Sequence, residues 1–312
     1  MKTFFLALLA ALLLSLAALW WTFQPVDIDV GTPPTVVIPA PPTTAVQLAV
    51  LDTGVMHSRA ALAYRGGDFA EPREFAMSVL LIRHPQGDLL IDAGFGAQVD
   101  QHFSTTPLLL QWSSSYQAGV PAAVQLDAAG MDAEQLLGVI VTHSHWDHVS
   151  GLADLPGVPV WTTAAELDFI ASGHEATTLA RQLGTENYRA LEFSTRPYLG
   201  FARSLDWFGD GSVVVVPAPG HSPGSLIVFV NQPDGSRYAL VGDLAWQAEG
   251  VSLPAEKPWI ARRAADFDAE ALRKTLIHVH HLGKQVPGLV VLPSHDAQLW
   301  SQLPTLEALQ AQ

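Results

Sequence analysis

Thr142-His143-Ser144-His145-Trp146-Asp147-His148 packs three imidazoles and a carboxylate directly behind Val139-Ile140-Val141. The β-branched triplet reads as a buried strand. The cluster therefore falls in the loop beyond a strand end, where open α/β sheets place their ligand sites. Neutral imidazole together with carboxylate suits a first-row divalent ion, zinc first. A merely solvated histidine-rich loop would have no counterpart elsewhere in the chain, and this one has several.

Leu89-Leu90-Ile91-Asp92-Ala93-Gly94 is a buried strand ending on a carboxylate and a turn glycine. Val213 to Val216 leads into Pro217-Ala218-Pro219-Gly220-His221-Ser222-Pro223-Gly224-Ser225, a Pro/Gly loop presenting one histidine. Tyr238 to Val241 runs into Gly242-Asp243, and Leu289 to Leu292 into Pro293-Ser294-His295. A lone Asp or His after a strand is usually a turn residue. Five strand ends carrying ligand-type residues predict a site assembled along one rim of a sheet.

The ordered series Asp92, His143-x-His145-x-Asp147-His148, His221, Asp243 and His295 resembles the five motifs of the metallo-β-lactamase-fold hydrolases. The resemblance spans roughly Val46 to Leu299. It implies an α/β chain folded as a four-layer αββα sandwich with two metal ions between the sheet edges. His143, His145 and His221 would hold one ion, Asp147, His148 and His295 the other, and Asp243 would bridge them. Asp92 would orient ligands by hydrogen bonding. Zinc is the expected metal, and an ion of this class lowers the pKa of a coordinated water toward about 7. Asp147 is the residue expected to take the nucleophile's proton, while Ser222 and Ser225 read as loop and cap hydroxyls. The chain has no cysteine, so the thiolate ligand of many true β-lactamases is missing, which points to the Asp-bridged branch.

The implied reaction is hydrolysis of a carbonyl ester, with a lactone favoured over phosphotriester, thioester or β-lactam substrates. Lactonases of this fold commonly carry tyrosine three residues past the bridging aspartate. Here that position is Trp246. It either contacts substrate through Nε1–H or serves as an apolar pocket wall. A second class stays open: a di-metal oxidoreductase or a membrane-tethered binding protein. Di-iron members usually have Glu where His145 stands.

A net charge of −14 and a pI near 5.1 disfavour nucleic acid and favour a small neutral or apolar substrate. Residues 46–312 suffice for one large domain. Residues 1–24 hold Lys2 and an apolar run from Phe4 to Trp21 broken only by Ser15. This predicts a single-pass anchor with the catalytic domain outside the cytoplasm, or else a signal peptide cleaved near Ser15-Leu16-Ala17, leaving a periplasmic or secreted enzyme. Residues 25–45, with Pro33, Pro34, Pro39, Pro41 and Pro42, read as an extended spacer.

Phe75 to Arg83 should pair with Asp88 to Asp92 across a hairpin whose turn includes His84, which gives that histidine no metal role. Thr163-Ala164-Ala165-Glu166 is a capping box opening a helix to about Ala171. Asp268 to Gln285 is helical, with Leu272, Leu276, Val279 and Leu282 on one face; His278, His280 and His281 are expected at the surface. The insertions 95–130 and 173–209 are expected to form lid, pocket wall or core.

Overall fold

Strand periodicity settles into two sheets in the computed structural model, which describes residues 2–311. The larger sheet has the spatial order Ser115–Ala118, Gln47–Arg59, Pro72–His84, Gly87–Ile91, Gly138–Ile140, Val160–Thr162, Tyr188–Ala190. The smaller runs Leu289–Leu292, Arg237–Leu240, Leu226–Asn231, Val213–Pro217, Leu205–Asp206. The expected hairpin is present: Leu80 to His84 pairs antiparallel with Gly87 to Ile91.

Alternation along each strand sorts side chains between faces. Leu80, Ile82, Leu89, Ile91 and Ile140 point into a core shared with Val213, Val215, Leu226, Val228 and Leu240 of the other sheet. Their neighbours Val79, Leu81, Leu90 and Val139 face the opposite way, onto helical residues such as Leu126, Ile170 and Leu179. Val214, Val216, Ile227 and Phe229 likewise pack on Leu272, Leu276, Val279 and Leu282 of the helix Ala269–Gln285. The result is two sheets face to face with helices on both outer sides. A one-residue slip would exchange the two cores, so the register is tightly specified.

The strands that matter end at one rim. Gly87–Ile91 runs parallel to Gly138–Ile140, and Arg237–Leu240 parallel to Leu289–Leu292. Val213–Pro217 reaches the same orientation through two antiparallel pairings. Asp92, His143, His221, Asp243 and His295 all follow carboxyl ends of these strands.

Two expectations change. His280 and His281 are buried and His278 half-buried, not at the surface. Their rings hydrogen-bond the carbonyls of Val251, Val30 and Leu199 respectively, because neighbouring segments cover a helix side that the leucine stripe does not mark. The proline-rich segment has no helix or strand, yet it is pinned to the domain through the carbonyls of Val30, Pro34 and Pro39. Residues 95–130 form helices Val99–Phe103, Leu108–Ser113 and Ala122–Ala128, and a strand that extends the larger sheet. His84 is buried against Phe208 and bonded to Asp210 at 3.0 Å.

The helix Lys2–Trp21 stands clear of the domain and is long and apolar enough to cross a membrane. Only its carboxyl end is seated: Arg65 donates to the carbonyls of Trp21 and Gln24, and Trp20 stacks on Phe69.

Candidate metal centre

The rim brings all seven expected ligands together. His143, His145, His221 and Asp243 form one group, and Asp147, His148 and His295 a second, with the potential ligand atoms of each group within 4.8 Å of one another. His221 Nε2 lies 3.1 Å from His143 Nε2 and 2.9 Å from His145 Nδ1. Asp243 stands between the groups. Its Oδ2 is 3.3 Å from His221 Nε2, while its Oδ1 is 3.0 Å from His295 and 3.3 Å from His148. Asp147 Oδ2 is 3.6 Å from His295 Nε2 and is the most exposed member of its group.

The ring nitrogens pointing away from the cluster are engaged elsewhere. His148 Nδ1–H donates to Asp92 at 2.8 Å, His221 Nδ1–H to Asp266 at 2.8 Å, and His295 Nδ1–H to the Ala76 carbonyl at 2.9 Å. Fixing one nitrogen in this way leaves the other as a lone-pair donor aimed inward, an arrangement typical of metal-binding histidine. Asp92 also accepts from the backbone N–H and hydroxyl of Thr142. It does so from a left-handed backbone conformation, φ 58°, a costly geometry for a non-glycine residue that concentrates at functional sites.

Electrostatics separates the two groups. Burial, then the crowd of neighbouring imidazoles, holds His143 and His145 well below the ordinary histidine range. They are neutral and ready to ligate. Burial pushes His148 down too, but Asp92, Asp243 and Asp147 outweigh it and hold it well above that range. His295 is raised, with burial opposed by Asp243 and Asp147. Asp243 is held well below the carboxylate range against its own burial, chiefly by His295, His148 and His221.

Two atoms test whether this donor set fits metal. His148 Nε2 and Asp243 Oδ1 are buried and lie 3.3 Å apart, yet neither makes an aligned hydrogen bond. A buried polar atom without a proper hydrogen bond costs about 1–3 kcal/mol, and both atoms point into the cluster. Divalent cations would satisfy both. The residues fit.

Several supporting residues escape a motif reading. Lys257 is buried and donates to Asp266 at 2.7 Å and to the Asp243 carbonyl at 2.8 Å, so one ammonium braces both His221 and the central aspartate. Lys257 and Asp266 sit in a segment with no strand and no motif spacing. Glu166 is fully buried. Thr163 caps its helix as expected, but the Glu166 carboxylate does not close the capping box. It accepts from Ser144 N–H at 2.7 Å, Gly224 N–H at 3.0 Å and the Ser222 hydroxyl, tying two ligand-bearing loops together. Ser222 and Ser225 are thereby spent on loop structure. Gly220, at φ 148°, is required sterically, since a Cβ there would lie 2.5 Å from the Leu272 backbone nitrogen.

The cluster floors a cavity of about 400 Å³ whose walls include Met56, Leu62, Phe75, Met77, Leu110 and Ile260. Thr105, Thr106 and Leu110 come from the first insertion. The second contributes only its opening turns, including His174 and Leu179, while Tyr198 and Phe201 pack on the smaller sheet instead. Trp246 lines this cavity, and its Nε1–H donates to Asp243 Oδ2 at 2.7 Å. The indole donor is therefore directed at the central carboxylate.

The family model for the metallo-beta-lactamase superfamily matches residues 73–311. A probable metallo-hydrolase of Mycobacterium bovis is 27% identical over 235 residues, 71% of this chain and 75% of its own length. The N-acyl homoserine lactonase AttM of Azorhizobium caulinodans is 23% identical over 274 residues, 82% of this chain and 95% of its own. Among solved structures, an N-acyl homoserine lactone hydrolase with N-hexanoyl-L-homoserine at its catalytic metal centre superposes with a TM-score of 0.66. It shares 16% identity over 84% of this chain and 98% of that one.

Proposed function

This chain belongs to the metallo-beta-lactamase superfamily, and from that premise we propose that it is a two-zinc hydrolase that opens lactones. Metal-dependent hydrolysis is the chemistry of its relatives, and the candidate metal site stands where that chemistry needs it. The observation that carries the reading is Asp243, buried between two histidine groups at the floor of an apolar-walled cavity.

His143, His145 and His221 would hold one ion, Asp147, His148 and His295 the other, and Asp243 would touch both. When bound, the ions supply Lewis acidity and an ionised water at neutral pH. The chain's own residues do the rest. Asp147 lines the cavity and would accept the nucleophile's proton and return it to the leaving oxygen. Asp92, Asp266 and Ala76 hold three imidazoles in the tautomer that leaves the inner nitrogen free. Trp246 holds the Asp243 carboxylate and lines the cavity. Met56, Phe75 and Met77 exclude water and suit an acyl chain, and the cavity volume lies within the usual range for small-molecule sites. The helix Lys2–Trp21 would place the domain outside the cytoplasm as a membrane anchor.

The test is a substrate panel of lactones, aryl esters, phosphotriesters and β-lactams on the purified full chain, alongside elemental analysis. About two zinc ions per chain with lactone turnover dominant is expected. Iron with redox activity, or preference for another ester class, would displace the reading.

A further inference from the structure

The cavity mouth and the seat of the amino-terminal helix adjoin. Leu62 lines the cavity and also the open groove beside it. Three residues later, Arg65 donates to Trp21 and Gln24 at the end of the helix, and its N–H donates to Glu256, which leads into the wall helix Trp259–Ala265. Phe69 stacks on Trp20 and meets Phe23 at a tilt. The end of the apolar helix is therefore seated directly on the domain by Arg65 and Phe69.

The segments that line the cavity and its groove also carry large apolar side chains in the open: Trp112 is 82% exposed, Leu108 62% and Trp259 50%. Exposed tryptophans on segments that border both a cavity mouth and the seat of an apolar helix are what a membrane interface selects. The charge agrees. Counting only side chains that reach solvent, residues 22–31, 59–71, 105–114 and 256–266 hold four basic ones (Arg59, Arg65, Arg262, Arg263) against four acidic ones (Asp27, Asp29, Asp68, Glu71). The junction is therefore neutral on a chain of net −14. This is the part of an acidic protein that an anionic headgroup layer would not repel.

We propose that the rim formed by Leu62, Leu108, Trp112 and Trp259 docks on the lipid surface beside the inserted helix, so that the cavity takes amphiphilic substrates from the bilayer. The proposal rests on the anchor and lactone-hydrolase readings above. A substrate with a polar ester head and a long acyl chain concentrates in the membrane, and a mouth held at headgroup level meets it there. The seat formed by Arg65 and Phe69 fixes that orientation.

The chain has no cysteine, so single thiols can be placed by Leu12→Cys, Trp112→Cys, Trp259→Cys and, on the exposed turn before Gly235, Asp234→Cys. Each full-length variant is labelled with a small fluorophore and reconstituted in phosphatidylcholine–phosphatidylglycerol vesicles containing a nitroxide lipid. Labels at 12, 112 and 259 should be quenched several-fold more than the label at 234. Quenching at 12 with 112 and 259 matching 234 would overturn the docking and leave the anchor standing. No quenching at 12 would overturn both. Labels at 112 and 259 shielded from aqueous iodide yet unquenched by lipid would assign the patch to a protein contact and overturn the proposal. In the unlabelled full-length protein, vesicles should also raise kcat/KM for a dodecanoyl-substituted lactone relative to a butanoyl one, compared with detergent; an unchanged ratio would sink the bilayer route. If neither lactone turns over, the lactone reading fails while the quenching still decides the docking.

Discussion

The floor and the walls of the cavity are built by different rules. The floor residues follow strand ends and are largely buried, and three of the imidazoles have a second partner that holds them: Asp92 for His148, Asp266 for His221, Ala76 for His295. The walls combine the strand residues Met56, Phe75 and Met77 with short helices such as Leu108–Ser113 and Trp259–Ala265, which leave Leu108, Trp112 and Trp259 open to solvent. The floor is over-determined and the walls are not. Damage to the floor should therefore be large and felt through the metal, and damage to the walls small and felt through the substrate.

The largest effect should come from Asp243→Ala. It removes the one carboxylate shared by both groups and strands several imidazoles around an empty centre. Metal content should fall from about two toward none, and kcat/KM by at least about a thousandfold, roughly 4 kcal/mol on the barrier. Retention of two ions would break the distinction between floor and wall at once.

Lys257→Met comes next. It leaves the Asp266 carboxylate buried without its ammonium, and breaking a buried pair in this way costs about 3 kcal/mol. Thermal unfolding should move down by roughly 10 °C, and zinc affinity should drop by about 10–100-fold, the range typical for loss of a ligand-orienting group. Adding Asp266→Asn should recover part of the stability but not the affinity. An affinity unmoved by either change would show that the pair is purely structural.

Acid should act on the floor with opposite signs in its two states. Without metal, the ion pairs of His148 with Asp92 and Asp243 contribute stability that is fully present below the ordinary imidazole range and is lost as pH rises through the raised value. With metal, the same ring must be deprotonated, so affinity weakens as pH falls and binding releases protons. Calorimetry in buffers of differing ionisation enthalpy measures that release. Metal uptake without proton release near neutrality would contradict the raised His148 and His295.

Trp246→Phe tests the boundary between the regions. It keeps the wall but removes the hydrogen bond to Asp243, so metal affinity should fall by about tenfold with little change in KM. A kcat loss of about a hundredfold at saturating zinc would instead show the indole acting on substrate. The smallest effect belongs to Trp112→Ala: stability should stay within about 0.5 kcal/mol, as for most exposed sites, with any change confined to chain-length preference.

The floor was legible because strand alternation and ligand chemistry are local. Val139-Ile140-Val141 followed by His143-x-His145-x-Asp147-His148 states both a strand and its cargo, and four further strand ends repeat the statement. The helix Ala269–Gln285 and its apolar stripe were legible for the same reason. His280 and His281 were not, because their burial depends on Val30 and Val251, which are distant in the chain. The capping box at Thr163 identified the helix start correctly, but the destination of Glu166 lay across the fold, on Ser144 and Gly224.

The sequence by itself determined the strands that lead into the motifs, the order of the candidate ligands and the donor chemistry, since each depends on residues a few positions apart. Tertiary structure alone decided that Lys257 and Asp266 brace His221, that Trp246 turns its N–H onto Asp243, and that only the opening of the second insertion reaches the cavity. It also set the cavity mouth beside the seat of the amino-terminal helix. Those facts depend on which surfaces meet when two sheets close on each other. A pattern within one segment cannot encode the position of another segment that only packing brings to its side.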